Sequence, residues 1–162
     1  MREILFRGKR TDCGEWVEGY LNQHRGRVIF DCCCNAINAN DYYINDWTEK
    51  LDTDLYGCVY KVIPETVGQF TGLTDKNGVR IFEGDILRGF EYPFRSNSNG
   101  EFNYFAEIVW FDDSSAFGIY TFKNPKSNVR GISEGNTDYL EYFNADKWEV
   151  IGNIHDNPEL LR

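Results

Sequence analysis

The sequence predicts a mainly β fold with many short strands and few helical turns. Aromatic residues make up 16% of the 162 residues, with 12 Phe, 10 Tyr and 4 Trp. Such rings fill a compact core and fit pleated surfaces better than helices. The 15 Gly, together with many Asn and Asp, supply the residues that tight turns need. Short strands separated by turns favour a sandwich or small barrel over an α/β architecture.

Residues 1–63 predict an N-terminal β-rich lobe. Its predicted strands lie at residues 2–7, 15–21, 27–30 and 59–63. The first two strands form a hairpin around the turn Thr11-Asp12-Cys13-Gly14, and Pro64 closes the last strand. Residues 31–57 show no regular spacing of apolar residues that would indicate a strand or a helix. Within them, Asn45 or Asp46 is expected to cap a short helical turn at residues 45–50.

Residues 64–162 predict a second domain, with a single compact unit for the whole chain as the alternative. Its predicted strands lie at residues 66–70, 79–82, 86–88, 102–110, 116–122 and 148–154. Asn77-Gly78 marks a tight turn, and Asn157 with Pro158 starts a final helical turn. Polar loops are expected at residues 91–100 and 123–138. This pattern suits a small closed barrel, which hides the edges of its sheet.

The charge of the chain bears on its partners. The formal net charge is −9 and the isoelectric point is about 4.7. Because an acidic surface repels phosphate, the charge disfavours nucleic acid as a partner. The simplest explanation of the negative charge is that it keeps the protein soluble. The alternative is an acidic face that binds a basic partner. No apolar run is long enough to span a membrane and the first ten residues do not resemble a signal peptide, so a cytoplasmic location is expected.

The cysteines and histidines do not predict a cofactor. The 5 Cys are odd in number and three are consecutive, Cys32 to Cys34, which is typical of free thiols rather than of a disulfide scaffold. Cys32 and Cys34 could share a metal with Cys13, Cys58 and His24, but the spacing of structural zinc sites is missing. His155 is interpreted as a turn residue. The sequence also lacks the common phosphate-binding, nucleophile-elbow and zinc-helix motifs.

Pairs of carboxylates are the remaining candidates for catalysis. They are Glu83 with Asp85, Glu107 with Asp112, and Asp112 with Asp113. Two carboxylates can perform acid–base chemistry or hold a divalent cation. However, Asp112-Asp113-Ser114 most simply forms a hairpin turn. The sequence therefore assigns no catalytic, cofactor-binding or metal-binding residue.

The loop at residues 91–100 carries the predicted contact with a partner. Tyr92, Phe94 and Arg95 bring aromatic and guanidinium groups to this segment. Residues of these types are typical anchors of protein interfaces. An ordinary surface loop is the alternative.

Three segments of the chain resemble the YopX-like family of phage and prophage proteins. They are residues 1–8 with 14–21, residues 62–87, and residues 149–161. The middle segment is the most specific and contains Pro-Glu-Thr-Val-Gly-Gln-Phe-Thr-Gly-Leu, from Pro64 to Leu73. The resemblance implies a phage or prophage origin and a C-terminal part similar to an SH3-like barrel. It implies no catalytic or cofactor residues.

The residues of the middle segment are more typical of a segment that determines the fold than of a functional site. Asp75 and Asp85 can accept hydrogen bonds from neighbouring backbone amides in turns. Turns or close backbone approaches are also expected at the four glycines of this segment, Gly68, Gly72, Gly78 and Gly84. The leading hypothesis for function is a non-catalytic protein-interaction module that binds a host or phage protein or associates with itself as an oligomer. The alternatives are a nucleic-acid-associated phage factor and a cryptic carboxylate- or metal-dependent hydrolase.

Overall fold

The strands observed confirm the mainly β class. The computed structural model describes residues 3–23, 29–30, 36–37, 41–46, 58–89, 104–123, 136–139 and 145–161. Within these ranges the strands are β1 (Phe6–Lys9), β2 (Trp16–Gln23), β3 (Ile29–Phe30), β4 (Ala36–Ile37), β5 (Tyr42–Asp46), β6 (Cys58–Val62), β7 (Gly68–Thr74), β8 (Arg80–Phe82), β9 (Asp85–Gly89), β10 (Tyr104–Phe111), β11 (Ala116–Lys123), β12 (Asn136–Tyr139) and β13 (Trp148–Asn153).

Helical structure in the described residues is limited to short 3₁₀ turns. They lie at Pro64–Thr66, Ala145–Lys147 and Pro158–Leu161, and the last of them confirms the predicted turn after Asn157. Among the described residues, no helix is long and apolar enough to cross a membrane.

The chain divides into two compact units, Met1–Phe70 and Thr71–Arg162. The boundary falls inside β7, six residues after Pro64. The sequence-based division between residues 63 and 64 stays a prediction.

Strands of the first unit form an antiparallel sheet in the order β6-β5-β2-β1-β7. The predicted hairpin of β1 and β2 is confirmed, with Lys9 opposite Trp16. Strand β6 also returns to the end of β1, because Ile63 N donates to Lys9 O at 2.8 Å and Thr11 N donates to Lys61 O at 3.0 Å. The strands β1, β2, β5 and β6 therefore close into a small ring, which satisfies backbone groups that an open edge would expose.

A small apolar core lies inside this ring. Its buried members are Val17, Ile44 and Val62. Gly8 faces Val62, and a Cβ at this glycine would stand 3.0 Å from the Cβ of Val62. A residue without a side chain is needed at position 8 because β1 passes so close to β6.

In the second unit, five strands form an antiparallel sheet in the order β12-β11-β10-β9-β13. Strands β9 to β12 follow one another as a meander, and the last strand of the chain adds beside β9. The predicted hairpin of the two long strands is confirmed, with Trp110 opposite Phe117. The SH3-like form of this part of the chain stays a prediction.

One face of the five-stranded sheet carries the core of the second unit. The buried members of this core are Ile81, Leu87, Ala106, Ile108, Phe117, Ile119 and Trp148. Trp148 is 1% exposed and packs over Gly89, where a Cβ would lie 2.5 Å from the indole ring. The absence of a side chain at position 89 makes room for the largest ring in the core.

One local prediction is wrong. Asn136 begins strand β12 inside the predicted loop at 123–138, because β11 offers its backbone hydrogen-bonding groups to this polar segment and overrides local propensity. Asn45 and Asp46 are the last two residues of strand β5, and the helical turn that either of them was expected to cap lies outside the described residues. The predicted loop at 91–100 lies outside the described residues.

Candidate functional site on the outer face of the C-terminal sheet

Strand β10 has two different faces. Ala106 and Ile108 are fully buried in the core of the second unit. Since neighbouring residues of a strand point to opposite sides, Phe105, Glu107 and Val109 lie on the other face of the sheet. These three side chains are partly exposed. The outer face is therefore an incompletely covered surface of mixed aromatic, aliphatic and acidic character.

Strand β11 completes this surface. Tyr120 lies directly opposite Glu107 in the register of the hairpin and is 38% exposed. Directly opposed side chains on one face of a sheet lie close enough to interact. Gly118, opposite Val109, adds no side chain. We call Phe105, Glu107, Val109 and Tyr120 the hairpin face.

Glu107 lies at the centre of the hairpin face in an unfavourable electrostatic environment. Burial raises the pKa of its carboxyl group above the ordinary value, and the nearby charge of Glu83 raises it further. Among the cations whose side chains the structure describes, none pairs with Glu107. Glu107 is predicted to pair with Asp112, but the carboxylate whose charge acts on it in the structure is Glu83. Both effects disfavour the charged form.

Glu149, on the same outer face, has the opposite environment. It lies on β13 opposite Arg88 of β9, and its side chain is 14% exposed. Arg88 Nη2 pairs with Glu149 Oε1, and Lys76 Nζ lies 2.5 Å from Glu149 Oε2. Two cations thus neutralise one largely buried carboxylate, which makes this corner of the sheet a structural ion-pair network.

Asp75 fastens the neighbouring turn to β13. It is 4% exposed, and its Oδ1 accepts from Asn77 N at 2.7 Å and Val79 N at 2.9 Å. Its Oδ2 accepts from Val150 N at 3.0 Å. Burial alone would raise the pKa of Asp75, but the backbone hydrogen bonds from Val150, Val79 and Asn77 outweigh it and leave the pKa below its ordinary value. The predicted turn role of Asp75 is confirmed.

The other predicted carboxylates also serve turns. Asp85 is fully buried, and its Oδ2 accepts from Phe82 N at 2.7 Å across the Glu83–Gly84 turn. Asp112 and Asp113 are exposed in the turn between β10 and β11, where Ser114 Oγ donates to Asp113 Oδ1 at 3.0 Å. These positions fit the structural interpretation of the Asp pairs better than a catalytic one.

The first unit presents a different kind of surface on the outer side of β1 and β2. The guanidinium of Arg7 lies 4.8 Å from the ring centroid of Trp16, and Lys9 Nζ lies 5.7 Å from it. Tyr20, two positions beyond Glu18 on the same face of β2, is exposed. This surface combines cations with aromatic rings in a chain that is acidic as a whole.

The remaining predicted candidates have these positions. Cys13 is an exposed free thiol in the β1–β2 turn. His155 is confirmed as a turn residue, and its backbone N donates to Asn153 Oδ1 at 3.0 Å. The described part of the chain contains no group of three or more His, Cys, Asp or Glu side chains that could hold a metal. Outside the described residues lie Cys32 to Cys34, His24, and the predicted partner contacts Tyr92, Phe94 and Arg95.

Sequence reasoning missed the proximity of Glu83 to Glu107 and the pairing of Glu149 with two cations. The alternation of β10 does place Glu107 opposite the core, so its outer position could have been found. Which residues flank it depends on the register of β9 against β10, where Glu107 lies opposite Ile86. That register joins residues about twenty positions apart and has no local signal.

Fold and site together describe a mainly β protein of two units, with an aromatic and acidic face on its second sheet. The chain belongs to the YopX protein family, whose model matches residues 5–162. It is similar to the crystal structure of protein EF1440 from Enterococcus faecalis, with 24% sequence identity and a TM-score of 0.48; the match covers 100% of both chains. No curated protein matches the chain.

Proposed function

We propose that this YopX-family protein is a non-catalytic protein-interaction module encoded by a phage or prophage and acting in the cytoplasm of the bacterial host. The observation that carries the proposal is the hairpin face. Tyr120 is exposed on it, and Phe105 and Val109 are only partly covered. Tyrosine and other aromatic residues are enriched in protein interfaces because they bury a large area at a small cost in conformational entropy.

The position of the hairpin face on regular strands supports this proposal. Strands β10 and β11 pair without interruption over six residues each, Ala106 to Phe111 against Ala116 to Thr121, and the register shifts between Phe105 and Ala106. Their inner side is anchored in the core by Ile108 and Ile119, both fully buried. A surface held in this way keeps its shape before a partner arrives, which reduces the entropy lost on binding.

Affinity capture from host cells with and without phage infection tests the proposal. The tagged full chain is compared with Tyr120→Ser on the hairpin face and with Val79→Ser, which changes an exposed apolar residue of a turn. We expect the wild type and Val79→Ser to retain the same partner and Tyr120→Ser to lose most of it. Capture of nothing, or of a partner that both variants retain equally, contradicts the proposal.

We also propose that the loop residues Tyr92, Phe94 and Arg95 form a second contact with the same partner. The loop connects β9 to β10, and its aromatic and guanidinium groups are typical interface anchors. Replacing all three by Ser in the capture experiment is expected to weaken retention in addition to the effect of Tyr120→Ser. Unchanged retention would remove the loop from the interface and leave the hairpin face in it.

A second candidate function is association with single-stranded nucleic acid through the first unit. It is favoured by the cations of Arg7 and Lys9 beside Trp16, since basic groups and aromatic rings together bind nucleic-acid strands. The test is binding of a fluorescent oligo(dT) by the wild type and Trp16→Ala at increasing salt concentration. This candidate requires an affinity that falls with salt and a clear loss in Trp16→Ala.

A further inference from the structure

The charge at the centre of the hairpin face identifies the chemistry of its partner. Glu107 is half-buried, Glu83 is the charged neighbour that acts on it, and no cation whose side chain the structure describes neutralises it. Glu149, on the same face of the sheet, is a contrasting case. Two cations, one on β9 and one in the adjacent turn, pair with its carboxylate and neutralise it. Glu107 is therefore a partly desolvated carboxylate for which the described side chains supply no counter-ion.

The surroundings of Glu107 favour a long cationic side chain over a small ion. Tyr120 lies opposite it in the register, and Phe105 and Val109 lie two residues before and after it on the same strand. Lysine and arginine carry an apolar stem that packs on such groups, and their cations interact with an aromatic ring. Phosphate groups are disfavoured here because Glu83 and Glu107 are both acidic.

Resting on the proposed function, we infer that the hairpin face binds a basic segment of a partner protein, with a lysine or arginine side chain paired to Glu107 and packed along Tyr120. The face then supplies charge complementarity at its centre and apolar contacts around it. An ion pair shielded in this way is stronger than one on an open surface, since the surrounding side chains exclude water.

The first test uses a defined probe. Backbone amide signals of the isotope-labelled full chain are followed by NMR during addition of the peptide acetyl-Leu-Arg-Leu-Arg-Leu-amide. The control peptide has Gln in place of each Arg. A short peptide of this kind is expected to bind with a Kd of about 1 mM, which NMR measures directly. The signals that shift should belong to strands β10 and β11, and the control peptide should shift them much less.

Variants of the protein make the test specific. Glu107→Gln is expected to weaken binding of the arginine peptide by about fivefold or more, which corresponds to about 1 kcal/mol. Asp112→Asn, which removes an exposed charge from the turn of the same hairpin, should change the affinity by less than about twofold. Equal affinity of Glu107→Gln and wild type, or shifts centred elsewhere in the chain, would overturn the inference.

Other occupants of the face have distinct signatures. Shifts of β10 and β11 that magnesium or calcium chloride produces more strongly than the peptide would indicate a cation site. Shifts that depend on protein concentration alone would indicate a second copy of the chain. Either result overturns the inference. In the capture experiment, loss of the partner in Tyr120→Ser but full retention in Glu107→Gln would also overturn it, while the proposed interaction role would stand.

Discussion

Glu149 and Glu107 lie on the same face of one sheet, two strands apart, and their environments are opposite. Glu149 pairs with Arg88 and Lys76 at the corner where β13 meets β9. Glu107 lies on the hairpin, where Glu83 is the described charge that acts on it, and burial and this like charge raise its pKa. One sheet thus contains a carboxylate that two cations neutralise and another for which the described side chains supply no counter-ion.

This difference separates charges that stabilise the fold from charges available for binding. Breaking a partly buried ion-pair network costs stability because the partners remain desolvated and unpaired. Removing a partly buried carboxylate for which the described side chains supply no counter-ion breaks no such pair among them and relieves a desolvation penalty. Substitutions at the two places should therefore change the free energy of unfolding in opposite directions.

The largest effect is expected at Asp75, which fastens the paired corner. Asp75→Ala removes the acceptor of three backbone N–H groups, and we expect it to lower the free energy of unfolding by about 3 kcal/mol. Asp75→Asn keeps one oxygen acceptor and should cost about half as much. Urea unfolding at pH 7, followed by circular dichroism, measures both. A loss no greater in Asp75→Ala than in Asp75→Asn would contradict the role of these hydrogen bonds.

Acid should weaken the contribution of Asp75. Because the pKa of the folded state lies below the ordinary value of 3.8, the charged carboxylate stabilises the fold above that pH, and this stabilisation is lost as the pH falls through the folded pKa. The difference in stability between wild type and Asp75→Asn should therefore be constant near neutral pH and shrink below about pH 3.8. Repeating the urea titrations down this pH range checks the sign.

Glu149 should give the next largest effect. Glu149→Gln leaves Arg88 and Lys76 without their carboxylate, and we expect a loss of about 1 to 2 kcal/mol in the free energy of unfolding at low salt. Both cations are partly exposed, so high salt should reduce the loss. Glu159→Gln, at an exposed position of the C-terminal turn, is the control and should change the stability little.

Substitution of Glu107 is expected to change the free energy of unfolding in the opposite direction. Glu107→Gln should raise the free energy of unfolding at pH 7 by up to about 1 kcal/mol, a value limited by the partial exposure of the carboxyl group. Because the folded pKa is raised, the protonated group favours folding at low pH and this advantage is lost as the pH rises above 4.5. The gain of the variant should therefore disappear below about pH 4.5. Destabilisation at pH 7 would show that Glu107 is structural.

The smallest effect tests the inner face of the same sheet. Thr121 is fully buried on β11, and its Oγ1 has no hydrogen-bond partner within the described ranges. Thr121→Val should raise the free energy of unfolding by about 0.5 kcal/mol, because it removes a buried polar group without changing the shape of the side chain.

A matched threonine provides the control for Thr121. Thr71 is also buried, but its Oγ1 donates to Ile81 O at 2.8 Å and accepts from Leu73 N at 3.2 Å. Thr71→Val should therefore destabilise the protein by about 1 kcal/mol in the same urea titration. If both valine substitutions changed the free energy of unfolding in the same direction, hydrogen bonding of the threonine would not be what decides the effect.

Much of the fold follows from local sequence signals. The alternation along β10 and β11 and the Asp112-Asp113-Ser114 turn predict the long hairpin, and the structure has it. Asn77-Gly78 predicts a tight turn, where Gly78 has a φ of 81°. Strand β5 was missed because its Asn and Asp residues resemble loop residues, while its place between β2 and β6 depends on partners more than ten residues away.

By itself, the sequence determined the β class, most strands and turns, and the family. Those properties depend on residue type, spacing and characteristic segments such as residues 62–87. The tertiary structure alone decided which charges meet. Glu107 faces outward because of the alternation of β10, but its proximity to Glu83 and the pairing of Glu149 with Arg88 depend on strand register. Register is set by backbone hydrogen bonds between distant segments, so the hairpin face became visible only in the folded sheet.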